Sequence, residues 1–116
     1  MSRIRWNRMK FIETKFFISQ LNKLKIRYNH ILSDYEEFKL DFDPLFATHL
    51  WNGIYKVRCK ISSIPIGKSG GFRFIVKVSG EIVFLLLVYA KSIKENVTSE
   101  EIISDLESVK KELKEQ

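Results

Sequence analysis

Residues 67–91 read GKSGGFRFIVKVSGEIVFLLLVYAK, and this stretch decides the fold. It opens as a basic, glycine-rich loop, runs through two apolar strands joined at Ser79-Gly80, and ends on Tyr89 and Lys91. Residues 82–90 are apolar or aromatic throughout and rich in Ile, Val, Phe and Leu, the composition of a strand buried on both faces. Nine residues are too few to span a bilayer as a helix. The strand before it alternates, with Phe72, Phe74, Val76 and Val78 on one face and Arg73, Ile75 and Lys77 on the other. The pair reads as the central hairpin of a small sheet, its open end presenting Lys68, Arg73, Tyr89 and Lys91 to solvent.

Around this hairpin the 116-residue chain has room for one domain with a modest core, spanning 1–116. Hydrophobic content of 45% and aromatic content of 13% exclude a wholly disordered chain. A single cysteine, Cys59, excludes an intrachain disulfide and any multi-cysteine metal site. It falls in a predicted strand, as a small core or edge residue. The N-terminal MSRIRWNRMK is basic without an apolar run behind it, so no signal peptide is expected, and a reducing cytoplasm is the expected compartment.

The net charge of +6 is unevenly placed. From His49 to Lys94 there are eight Lys/Arg against one acid, Glu81, whereas from Glu95 to Gln116 there are seven acids and three lysines. The middle of the chain is therefore a basic surface, suited either to a polyanion such as nucleic acid or simply to solubility.

On the N-terminal side, Arg3, Arg5 and Arg8 surround Trp6 in a segment (1–8) read as a flexible basic arm, with Met9 as an alternative start. Lys10 to Glu13 reads as a short strand. Thr14 is placed to cap a helix carrying Phe17, Leu21 and Leu24 on one face. A second helix is expected from about Ser33, with Tyr35, Phe38 and Phe42 aligned and Asp43-Pro44 ending it. Residues 45–53 read as a connection closing on the turn signal Asn52-Gly53. Ile54 to Ile61 then alternates, Tyr55, Val57, Cys59 and Ile61 facing one way and Lys56, Arg58 and Lys60 the other. The cationic row fits a solvated face, an edge strand guarded by lysine, or a binding surface.

Gly67-Lys68-Ser69 is not a nucleotide-binding P-loop. Such a loop needs glycine where Ser62 stands, and a helix rather than a strand after it. Toward the C-terminus, Thr98 and Glu101 form a capping box for a last helix striped by Ile102, Leu106, Val109 and Leu113, expected to pack on the sheet or meet a partner's helix. The expected order is β-α-α-β-β-β-α, an α+β fold without internal repeats.

YKVR at 55–58, GKSGGFR at 67–73 and LLVYAKSIKEN at 86–96 together resemble the RelE/HigB superfamily of toxins, in its HigB-like branch. The similarity runs from about Met9 to Leu113. It implies a small curved antiparallel sheet with two N-terminal helices and one C-terminal helix. It also implies a toxin of a type II toxin–antitoxin pair, an mRNA interferase that enters the ribosome and cuts mRNA in the A site. In that chemistry a ribose 2′-hydroxyl attacks the adjacent phosphate without metal or cofactor, leaving a 2′,3′-cyclic phosphate and a 5′-hydroxyl. Matched to the family, Arg73 ends the loop motif, Lys56 and Arg58 are the cationic pair on the preceding strand, and Lys91 follows the last strand. Fixed cations of this kind stabilise a phosphorane-like transition state more than the ground state. The resemblance makes Lys56 the first choice of general base and lets Tyr89 stack on a base or orient a phosphate. Lys60, Lys68 and Lys94 are expected to grip RNA. Two departures stand out: Ser92 replaces an arginine found in some members, and the last helix has no tyrosine. Neither His30 nor His49 falls on a matched position. His30 reads as a surface residue between helices, and His49 lies in the loop before the second strand, where it could approach the site but reads more simply as a residue without a role in it.

The implied partners are the ribosome, mRNA and a helix-turn-helix antitoxin, with no membrane. Other functions are compatible with the same fold: a ParE-like toxin that binds DNA gyrase without enzymatic activity, an RNA-binding protein, or a basic domain whose charges serve only its surface.

Overall fold

The computed structural model describes residues 9–59 and 71–91 and, toward the C-terminus, 100, 101, 103, 104, 107, 108 and 111. The chain order is β1 (Lys10–Glu13), α1 (Lys15–Arg27), α2 (Ile31–Asp41), a 3₁₀ turn (Pro44–Phe46), β2 (Thr48–Trp51), β3 (Ile54–Cys59), β4 (Phe72–Ser79) and β5 (Ile82–Ala90). Among the described residues this is an α+β fold with one five-stranded sheet, ordered β1-β5-β4-β3-β2. The described C-terminal residues have helical backbone. Thr98 and the expected stripe of Ile102, Leu106, Val109 and Leu113 lie outside the described residues, as do the arm 1–8 and Lys60, Lys68 and Lys94.

Two expectations are corrected. The sheet is mixed, not antiparallel, because β1 runs parallel to β5, Lys10 opposite Ile82 and Glu13 opposite Leu85. Thr14 anchors the end of that pairing. Its backbone N–H and its hydroxyl both donate to the Leu85 carbonyl, at 3.3 and 2.9 Å, while the hydroxyl oxygen accepts from Phe17 N–H at 3.2 Å. One side chain thus ties the end of β1 to the sheet and caps α1. The second correction is an additional strand. Thr48–Trp51, expected as a connection, pairs antiparallel with β3. Asn52 and Gly53 both have positive φ, +48° and +76°, which matches the right-handed strand twist in a two-residue hairpin loop. The turn was legible, and a turn of that type requires a strand on each side.

The hairpin of β4 and β5 forms as expected, with Gly80 at φ +61° in its two-residue loop. Both strands are interior in the sheet. The helices cover one face. Phe17, Leu21 and Leu24 of α1 and Ile31, Tyr35 and Phe38 of α2, with Phe42 at its end, form one core with Phe72, Phe74, Val76, Val83, Leu85, Val88 and Ala90. Phe38 stacks on Phe74 at 4.2 Å between centroids, and Phe17 and Tyr35 pack on the same ring. Burying each such ring contributes about 1.5–3 kcal/mol. The Tyr35 hydroxyl donates to Glu13 at 2.6 Å, joining α2 to β1. α2 begins at Ile31, slightly before the expected Ser33. His30 is exposed ahead of it, as expected.

A second apolar cluster lies on the opposite face: Ile54, Ile75, Leu86, Leu87 and Tyr89, with Leu50, Trp51 and Phe84 packed against it. Among the described residues no helix is long and apolar enough to cross a membrane.

Cys59 ends β3 against α2, its thiol 3.7 Å from the Asp34 carbonyl. Burial, and then the carboxylates of Asp34, Glu37 and Asp41, push the thiol up from 9.0 to about 11. The raised value means that the fold prefers the thiol. Its contribution to stability is complete below pH 9 and is lost as pH rises through about 11. Only the thiolate is nucleophilic, so at pH 8 the native protein should alkylate about a hundredfold more slowly than its urea-unfolded form, as followed by iodoacetamide labelling and mass spectrometry.

Candidate functional site

Strand register assembles the cations. Arg58 of β3 stands opposite Arg73 of β4, and Arg73 stands opposite Tyr89 of β5. The three form one row across adjacent strands spaced about 4.8 Å apart. One step along, Thr48, Lys56, Ile75 and Leu87 form the next row. Lys56 and Arg58, two residues apart on β3, share a face about 6.6 Å from each other. Lys91 follows β5, its N–H bonded to the Gly71 carbonyl at 3.0 Å, which closes the ladder at the end where the arginine row lies. Lys56, Arg58, Arg73, Tyr89 and Lys91 are therefore brought together on the face away from the helices or at the strand end beside it.

Tyr89 reaches that face through a β-bulge. Val76 pairs with Leu85 but Ile75 pairs with Leu87, so Leu86 is an extra residue in β5. Before it, Val83 and Leu85 face the helices; after it, Val88 and Ala90 do. Strict alternation would send Tyr89 into the helix-side core, and the bulge turns it toward Arg73 instead.

The depth of the site departs from expectation. Arg73 and Tyr89 are each only 7% exposed, not presented to solvent, while Lys56 and Lys91 are half-buried and Arg58 is exposed. The Tyr89 ring is as enclosed as Arg73 rather than standing out from the sheet face. Burial, followed by the opposing Arg58 guanidinium, lowers the Arg73 pKa, and Tyr89 acts in the opposite sense. An arginine nevertheless remains a cation. Arg58 and Arg73 stand opposite each other on neighbouring strands, so each feels the other's positive charge.

Gly71 shapes this corner. Its φ is +103°, and a Cβ there would lie 2.6 Å from the Cys59 carbonyl oxygen and 3.3 Å from Arg73 Nη1. A side chain at 71 would collide with the β3 backbone and displace the guanidinium. His49 lies elsewhere. It is in β2 opposite Tyr55, with the two rings 5.1 Å apart, and Tyr55 packs toward the helix-side core. His49 thus points away from Lys56 and Arg58. Thr48, unremarked in the sequence, is the neighbour of Lys56 because β2 exists; Asn52-Gly53 was the signal for that strand.

Among the described residues no group of three or more His, Cys, Asp or Glu is placed to hold a metal ion. No protein-family model matches the sequence, and no curated protein matches it.

Like charges opposite each other across a strand pair oppose folding. Arg58→Gln should raise the unfolding free energy by about 0.2–1 kcal/mol at low salt, and the gain should shrink as salt is added, in urea titrations at two ionic strengths. Gly71→Ala should lower it by about 1–3 kcal/mol in the same titration, because φ +103° is strained for any other residue and Cys59 blocks the Cβ.

Proposed function

We propose that the chain is a toxin of the RelE/HigB kind, acting in the cytoplasm as a ribosome-dependent mRNA endoribonuclease held in check by a helix-turn-helix antitoxin. The observation that carries this reading is the row Arg58–Arg73–Tyr89, in which a buried arginine stands opposite a second one on the neighbouring strand, on the sheet face opposite the helices. A surface that served only solubility has no reason to bury an arginine beside another. The strand followed by two helices and the antiparallel run β2 to β5 are compatible with the architecture of that superfamily, with β1 in parallel as the departure.

In this reaction Arg73 and Arg58 hold the scissile phosphate, and Tyr89 supports Arg73 from the neighbouring strand. Lys56 takes the proton of the 2′-hydroxyl. The O2′–P bond forms as the P–O5′ bond breaks, and Lys91 returns a proton to the leaving 5′-oxygen. The products are a 2′,3′-cyclic phosphate and a free 5′-hydroxyl. The added negative charge of the pentacovalent state is where the two arginines contribute most. Lys60, Lys68 and Lys94 are assigned to the RNA backbone or ribosomal RNA by their charge.

The test is primer extension on mRNA in a reconstituted translation reaction. The protein should cut at defined positions within codons only when ribosomes are present, and Arg73→Ala should lower the rate by about 10²–10³-fold. Intact mRNA with the unaltered protein would overturn the reading. If gyrase supercoiling were inhibited in its place, the ParE-like function would take over.

A further inference from the structure

We infer that Gln20 is a positioning residue of the arginine–tyrosine row: its side-chain amide holds the β5 bulge that keeps Tyr89 beside Arg73. The outer edge of β5 is covered by β1 only as far as Leu85, which pairs with Glu13. Beyond that point α1 takes over. Thr14 satisfies the Leu85 carbonyl, and the Gln20 amide oxygen accepts from the Val88 N–H at 2.9 Å.

Between those two anchors lie Leu86 and Leu87, the bulge and the residue after it. Val88 itself is 1% exposed, so water cannot readily substitute for the amide oxygen. Val88 immediately precedes Tyr89. If β5 slid by one residue to remove the bulge, Tyr89 would turn into the helix-side core and Val88 would turn out of it. The Leu85 and Val88 anchors, both made by α1 and its cap, oppose that slip. They are three residues apart, the odd spacing required when an extra residue separates two positions on one face. In an unbulged strand residues 85 and 88 would point their backbone groups to opposite edges, and one helix could not bind both.

The cleavage readout of this inference rests on the proposed endoribonuclease reading, whereas its structural readout does not. Gln20→Met keeps the size and apolar stem but removes the acceptor, and Gln20→Glu retains one. Three measurements are compared for the two variants and the unaltered protein: Val88 amide exchange, the nuclear Overhauser contacts between the Tyr89 ring and the Arg73 side chain, and ribosome-dependent cleavage. In Gln20→Met, exchange at Val88 should rise about tenfold, the Tyr89–Arg73 contacts should weaken, and cleavage should fall. Gln20→Glu should preserve all three. Combined with Tyr89→Ala, Gln20→Met should lower cleavage no further. Unchanged Tyr89–Arg73 contacts in a folded Gln20→Met protein would overturn the inference, as would full additivity with Tyr89→Ala. If the unaltered protein cuts no mRNA but Gln20→Met still loses those contacts, the positioning role stands and the endoribonuclease reading fails.

Discussion

The extra residue in β5, Leu86, is the constraint on which the rest of the structure depends. A strand buried on both faces must divide its side chains between two cores, and in β5 the division changes parity midway. Val83, Leu85, Val88 and Ala90 meet the helices, and Leu86, Leu87 and Tyr89 meet the other side. Because β5 is interior and β4 pairs along its full length, the shift is locked from one edge by the ladder and from the other by Thr14 and Gln20. Bulges are found next to functional sites because they re-aim one side chain without disturbing the strand on either side. Here the side chain is Tyr89, and the residue it is aimed at is Arg73.

That arrangement opposes stability locally. Burying an arginine with a second one opposite it on the next strand is costly. The surrounding structure absorbs this cost through the aromatic core behind it, where Phe72 and Phe74 flank Arg73 on β4 and are fully buried. Gly71 contributes by having no side chain, which lets the β3 carbonyl of Cys59 and the Arg73 guanidinium both approach.

Much of the architecture was readable from local chemistry. β1, the Thr14 cap, the buried stripe of α1, the aromatic stripe of α2 and the β4–β5 hairpin all follow from periodicity, capping and turn residues. β2 was missed because LFATHLW has no clean alternation, and its pairing with β3 contains an irregularity between His49 and Trp51. The parallel placement of β1 was missed because four residues carry no record of the direction of the strand they will join.

The cations of the site were equally visible: alternation alone places Lys56 with Arg58 and sets Arg73 apart from Phe72 and Phe74. The sequence by itself determined which residues alternate, where the turns fall and that the middle of the chain is basic, since these depend on neighbours within a few positions. Only the tertiary structure decided that Arg58, Arg73 and Tyr89 share one row, that Arg73 is buried and that Tyr89 lies beside it. Those properties depend on register between strands and on one inserted residue, and register is set by packing across the sheet rather than by any residue's own preference.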